Sequence, residues 1–277
     1  KRKEYEILSL VWAAGIKVPE PIALCEDPHV IGRLFILMSY LPGTTDFQQI
    51  IDFKIGEELA GQLGEELAKI HALQPTHLEF IQQEQPNPAE ENIRQFRDFF
   101  DRRGELNPIA EWAMRWCLAH LQTIPVMPQT LVHGDFRSAN YLTTKQGLTG
   151  ILDWEFSGLG DPYSDLGWFC AKCWRYGRED TPAGGIASRD SFYAGYRKVS
   201  GKKVESLRVV IWEVMALLRW LVIAIQQGDR NFVDGEEDLE LGLTGLVRPP
   251  EIEMMLLEMT APESWPASSQ MGGKLHA

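Results

Sequence analysis

Between residues 131 and 153 the chain sets His133, Asp135, Arg137, Asn140 and Asp153 among apolar neighbours, in the stretches LVHGDFRSANYL and ILDW. Polar side chains cost free energy in an interior unless they are paired or put to use. Asp135 and Asn140 are five residues apart, across a loop. Asp153 ends a strand-like run that a hairpin could fold back beside them. Two carboxylates and an amide offer hard oxygen ligands and no soft ones, which suits Mg2+, an ion that takes a few protein oxygens and completes its shell with substrate phosphates. A carboxylate next to two such ligands is also what phosphoryl transfer uses to orient an attacking hydroxyl.

Taken singly, each residue has a plainer reading. Asp135 suits a turn, Asn140 can end a strand, Asp153 can close a surface strand, and Asp165 can sit as a first-turn helix charge. Their joint occurrence from His133 to Asp165, with strands and turns between, favours a site.

The elements around these residues follow from periodicity. A helix is expected over 2–14, with Ile7, Leu8, Val11 and Trp12 as its apolar stripe and Gly15 as its stop. Strands are expected over 21–26 and 33–40, with a turn at Pro42-Gly43. Ile55, Leu59, Leu63, Leu67 and Ile70 mark a helix ending near Leu73, with His71 as a capping or packing residue. A Pro- and Gln-rich loop over 75–89 leads to helices over 90–103 and 108–122. TLVH, NYLTT and LTGILDW read as strands, the last two joined by a hairpin turn at Gln146-Gly147. Helices are expected again over 163–175, 188–199, 204–227 and 236–259. The tail from 261 is rich in Pro, Ser and Gly and is expected to be disordered.

Composition bounds the rest. An apolar content of 44% and a charged content of 24% over 277 residues fit a soluble globular protein of one large domain or two lobes. A net charge of −12 with no basic block argues against a nucleic-acid partner. The run 209–225 approaches membrane-spanning length, but Glu213 and Arg219 interrupt it, so a buried helix is expected and no membrane. Cys25, Cys117, Cys170 and Cys173 are too few for a disulfide scaffold, and a reducing, cytoplasmic setting is expected. Cys170 and Cys173 fall in a helical pattern, which favours packing over a metal. The aromatic residues of the helical stretches, Trp168 and Trp174 among them, read mostly as core.

H-G-D-x-x-x-x-N, then D-W-E, then G-D-P-x-x-D-L resembles the aminoglycoside phosphotransferase and choline kinase group of small-molecule kinases. HGDFRSAN, ILDWE, GLGDPYSDLGW and CWRYG are most similar to the phosphotransferase domains associated with acyl-CoA dehydrogenases. The resemblance runs over about residues 1–260. It implies an α+β, protein-kinase-like fold of two lobes: a remnant small lobe over 1–43, a mainly helical lobe with the catalytic loop over 44–260, and a tail over 261–277. It implies ATP and Mg2+ as cofactors and a small-molecule hydroxyl as acceptor.

By that resemblance Asp135 is the catalytic aspartate, Arg137 a cation near the transferred phosphoryl group, and Asn140 and Asp153 the Mg2+ ligands. His133 and Asp165 brace the loop. Glu4 is the helix glutamate that pairs with an ATP-binding Lys, and Ser39 and Leu41 offer backbone groups to adenine. The phosphate-covering loop and its Lys precede this helix in the group and are not among these residues. The chain, which opens on Lys1 inside a helical pattern, is therefore expected to lack upstream sequence and to be weakened in activity. Hydroxyacyl-type acceptors are expected before aminoglycosides, with possible association with acyl-CoA dehydrogenase-type proteins. The rival expectation is a non-catalytic, pseudokinase-like binding module.

Overall fold

Ile7, Leu8 and Val11 are the buried face of the first helix, α1 (Arg2–Ala13), and Gly15, at φ 76°, ends the run. The structure, a computed structural model, describes residues 1–74 and 86–262. Strands β1 (Pro21–Cys25) and β2 (Phe35–Met38) pair antiparallel, with a bulge between Pro21 and Ala23. Asp46 caps α2 (Phe47–Asp52) by accepting the Gln49 N–H. In α3 (Gly56–His71), Glu57 and Glu58 lie in the first turn and Lys69 in the last, each sign at the helix end whose dipole it offsets. Next come α4 (Pro88–Arg103) and α5 (Pro108–Leu121).

Three short strands follow: β3 (Thr130–Val132), β4 (Tyr141–Thr144) and β5 (Gly147–Ile151). The β4–β5 hairpin turns at Lys145-Gln146, one residue before the expected Gln146-Gly147, because Gly147 already pairs with Thr144. A further strand, β6 (Gly158–Gly160), pairs antiparallel with β3 and was not anticipated. Its sequence, Gly-Leu-Gly, carries neither the alternation nor the β-branched residues that announce a strand. The remaining helices are α6 (Tyr163–Cys170), with a 3-10 turn over Lys172–Trp174, α7 (Arg189–Ser200), α8 (Ser206–Phe232) and α9 (Leu239–Thr260). Most of the expected 75–89 loop and of the tail from 261 lies outside the described residues.

The chain divides into two compact units, one of Lys1–Pro88 with Val126–Glu213, the other of Ala89–Pro125 with Val214 onward. In the second, Asn107 Nδ2 donates to Glu253 at 2.8 Å and Trp112 Nε1 to Thr260 at 2.9 Å, tying α5 to α9. Helix α8 is long and apolar enough to cross a membrane, yet 61% of its most apolar window is buried within the protein, as in a core helix.

In the first unit α3 and α7 touch backbone to backbone. A Cβ on Gly195 would lie 1.9 Å from the Gly61 carbonyl oxygen, and one on Gly64 2.2 Å from that of Phe192. Only glycine allows this approach, which sets His71 of α3 against Tyr196 of α7. We expect Gly195→Ala to destabilise by about 1–3 kcal/mol or more, since backbone cannot yield as a side chain does. Gly158→Ala, with open space around its Cβ and no strained φ, is the matched control. Thermal melts of the two variants decide it.

Candidate active site

The site is built on a buried carboxylate. Asp165, in the first turn of α6, accepts the backbone N–H of His133 at 2.7 Å and that of Gly134 at 2.9 Å. His71 Nε2 contacts the same carboxylate at 3.1 Å, and its Nδ1 lies 2.9 Å from the Tyr196 hydroxyl. Burial opposes the charged form of Asp165, but the His71 hydrogen bond and the backbone N–H of His133 together hold its pKa below the usual 3.8. The result is a rigid start to the loop after β3.

Within that loop, His133 Nε2–H donates to the Leu152 carbonyl at 2.9 Å and Nδ1 accepts the Asp135 N–H at 3.2 Å. This assigns a neutral imidazole with its proton on Nε2. Burial likewise draws the His133 pKa down. Gly134 turns at φ 82°, and a Cβ there would meet the Phe156 carbonyl oxygen at 2.3 Å. The turn delivers Asp135, 6% exposed, to the end of the β3 strand.

Three donors hold the Asp135 carboxylate. Trp168 Nε1–H reaches Oδ1 at 2.7 Å and Asn140 Nδ2 reaches Oδ2 at 2.6 Å, while Arg137 Nε lies 3.2 and 3.3 Å from the two oxygens. Asn140 Nδ2 also donates to the Asp135 carbonyl at 2.9 Å, so both amide protons are engaged and Oδ1 is left as an acceptor. The Arg137 guanidinium lies 4.6 Å above the Trp174 ring, and Trp174 packs 5.3 Å from Trp168. Nearby, Tyr176 stacks on Phe47 of α2 with centroids 4.1 Å apart.

The segment bearing these aromatics is tied down from below. Arg175 is buried and donates to the Cys170 carbonyl at 2.8 and 3.1 Å and to Glu213 at 3.1 Å. Arg189 also donates to Glu213. Burial outweighs the two arginines and lifts the Glu213 pKa to about 7. Arg175 is thus a structural member of the segment, while Trp174 and Tyr176 border the site. Cys170 and Cys173 are free thiols, raised in pKa by burial.

Asp153 follows β5 at φ 64°, a left-handed conformation that Asp tolerates better than most residues. Leu152 N–H donates to the Asn140 carbonyl at 2.8 Å, which places Asp153 next to Asn140 along the chain path. The Asp153 side chain is exposed and accepts no hydrogen bond among the described residues. An anchored amide oxygen and an open carboxylate therefore lie on neighbouring, hydrogen-bonded segments. This donor set fits Mg2+. Among the described residues no three His, Cys, Asp or Glu side chains converge on one point.

Glu4 takes a salt bridge from Lys1 Nζ at 2.7 Å. Glu4, with Glu155 and Asp153 adding, raises the Lys1 pKa, so this ammonium stands within electrostatic reach of Asp153. Ser39 exchanges hydrogen bonds with Glu20, through its N–H at 2.9 Å and its hydroxyl at 2.8 Å. The Ser39 carbonyl and the Leu41 N–H have no hydrogen-bond partner among the described residues.

The sequence alone marks Trp168 as core and His71 as a capping or packing residue. Trp168 does carry a signal: it stands three residues after Asp165 on one helix face, and an indole N–H in a core needs an acceptor. His71, remote in sequence, offers none.

With this geometry in hand, comparison with known proteins adds four findings. A family model described as "Phosphotransferase enzyme family" matches residues 1–201. Acyl-CoA dehydrogenase family member 10 of Mus musculus is 29% identical over 192 residues, which is 61% of this chain and 16% of that protein. The chain thus spans about a sixth of that relative's length. A solved structure from Ralstonia eutropha, described as a candidate aminoglycoside phosphotransferase, superposes with a TM-score of 0.74 at 22% identity, covering 93% of this chain and 82% of that one. A choline/ethanolamine kinase family protein from Mesorhizobium loti gives 0.63 at 20% identity, covering 93% and 78%. At such identities the likeness is one of fold: α+β and protein-kinase-like.

Proposed function

This chain belongs to the phosphotransferase enzyme family, and from that premise we propose that it moves the γ-phosphoryl group of ATP to a hydroxyl of a small metabolite. The observation that carries the reading is Asp135: a buried carboxylate fixed by Trp168 and Asn140, with the open carboxylate of Asp153 following Leu152, whose N–H bonds the Asn140 carbonyl. In the transfer, the acceptor oxygen bonds to the γ-phosphorus as its proton passes to Asp135. The bond to the bridging oxygen breaks and ADP leaves. Three N–H donors share the four lone-pair sites of the Asp135 carboxylate, which leaves one for that proton. Arg137, lying against Asp135, offsets charge on the transferred group. Asn140 Oδ1 and the Asp153 carboxylate would hold Mg2+, which supplies neutralisation of the phosphate oxygens. We assign Glu4, Ser39 and Leu41 to the nucleotide side, the last two through the backbone groups left open there.

A hydroxyacyl acceptor is favoured over a polycationic aminoglycoside. Arg137 lies against Asp135 with its guanidinium over Trp174, and a cation at the reacting carboxylate suits an anionic or acyl compound better than a row of ammonium groups. The likeness to an acyl-CoA dehydrogenase relative points the same way. We extend it to association with such a protein and to a reducing, cytoplasmic setting, in keeping with four free cysteines.

The test is ADP release by the natural full-length protein, with Mg·ATP, across hydroxyacyl, choline-like and aminoglycoside acceptors. Turnover with hydroxyacyl compounds alone supports the full reading. Turnover with an aminoglycoside alone retains the kinase and overturns the acceptor. ATP binding without turnover across the panel favours a non-catalytic module. Asp153→Asn is expected to raise the Mg2+ concentration for half-maximal rate by roughly 10-fold or more, read from a Mg2+ titration of the same assay.

A further inference from the structure

Helix α6 carries two residues that point at the catalytic loop, and the roles described so far use only one. Asp165 braces the loop backbone. One turn on, Trp168 places its indole N–H 2.7 Å from Asp135 Oδ1. We propose that Trp168 is a positioning residue for phosphoryl transfer: its N–H fixes the orientation of the Asp135 carboxylate against the pull of Arg137. The inference rests on the kinase reading above.

The competition is visible in the distances. Arg137 Nε sits 3.2 and 3.3 Å from the two oxygens of Asp135, nearly evenly, with its guanidinium held 4.6 Å over Trp174. Left to itself, a carboxylate next to an arginine rotates into a forked, two-bond pair. Such a pair would occupy the lone pairs that must face the acceptor hydroxyl. Trp168 on Oδ1 and Asn140 on Oδ2 hold the carboxylate plane from the buried side. Asn140 has a second duty at the phosphate side, and Trp168 has none. The indole is a donor only, uncharged, and cannot take the acceptor's proton. It is also buried, 4% exposed, so water does not replace it. Its ring packs on Trp174, which in turn carries Arg137, so one residue sets both the carboxylate and the platform of its competitor.

Trp168→Phe keeps a ring against Trp174 and removes the donor. We expect kcat to fall roughly 10- to 100-fold, the loss that follows a small misplacement of a reacting group, with KM for ATP and acceptor within about twofold, a range that marks intact ground-state binding. β-(3-benzothienyl)alanine at 168, which puts sulfur in place of N–H at nearly constant shape, is expected to behave as the Phe variant and guards against a folding defect. A spectroscopic readout is independent of turnover. In 15N-labelled protein, the indole resonance assigned by its disappearance in Trp168→Phe should lie downfield and move upfield in Asp135→Ala. A kcat within twofold of wild type, a change confined to KM, or an indole resonance indifferent to Asp135→Ala would overturn the proposal. Wild-type protein with no acceptor-dependent turnover, but with the indole shift intact, overturns the kinase reading and the positioning role with it, while the hydrogen bond stands.

Discussion

Asp135→Asn is expected to lower acceptor-dependent ADP release on the order of 10³-fold while leaving the melting midpoint and ADP binding near wild type. The substitution preserves shape, and the asparagine oxygen can still accept the Trp168 N–H or the Asn140 amide, though not both in their present geometry. What it removes is the capacity to take the acceptor's proton as the oxygen–phosphorus bond forms. Arg137, now facing a neutral amide, loses its partner and stands free to bind phosphate more tightly. The nucleotide KM should therefore hold or fall while kcat collapses. Steady-state kinetics with ADP binding by calorimetry separates the two. Equal turnover in Asp135→Asn would remove Asp135 from the chemistry and leave the loop as a binding element.

Much of this arrangement was legible because local spacing encodes it. Asp135 and Asn140 are five residues apart, across a loop, and the loop closes on itself with Asn140 N–H to the Arg137 carbonyl at 3.0 Å. Asp153 was legible as the end of a strand-like run after a hairpin, while the contact of Arg137 with Asp135 was not. Helices announced themselves through apolar faces such as Ile7, Leu8 and Val11. What escaped has a common cause: it depends on contacts between segments far apart in sequence. His71 lies 94 residues from Asp165 and 125 from Tyr196, and nothing in α3 marks it as more than a polar residue on a buried face. Strand β6 exists because β3 needs a partner, not because Gly-Leu-Gly prefers extension. Trp168 lies between these cases. Its spacing from Asp165 placed it on the right face, and only its need for an acceptor distinguished it from other core tryptophans.

That dependence on long-range contact gives Asp165 the larger structural effect. Asp165→Ala is expected to destabilise by about 3–5 kcal/mol, the range for removing one member of a buried charged network, and to lower the melting midpoint by roughly 10 °C. Three groups lose their acceptor at once: the His133 and Gly134 N–H groups and His71. The His133 and His71 groups have no room to reach water, since both residues and Asp165 are buried. Activity should fall with stability, because the same two N–H groups fix the turn that aims Asp135. Asp165→Asn, which retains one acceptor oxygen but turns N–H2 toward the loop amides, should recover only part of the loss. The pH dependence follows from the depressed pKa of Asp165. A carboxylate held below its ordinary value stabilises the fold at pH above that value. The contribution drains away as pH falls through the folded-state pKa. The gap between wild type and Asp165→Ala should therefore be full at pH 7 and narrow below about pH 4, near the unfolded Asp value. Denaturant unfolding of both proteins across that range reads it directly. A gap that stays constant down to pH 3 would mean that Asp165 holds the loop through packing and not through its charge.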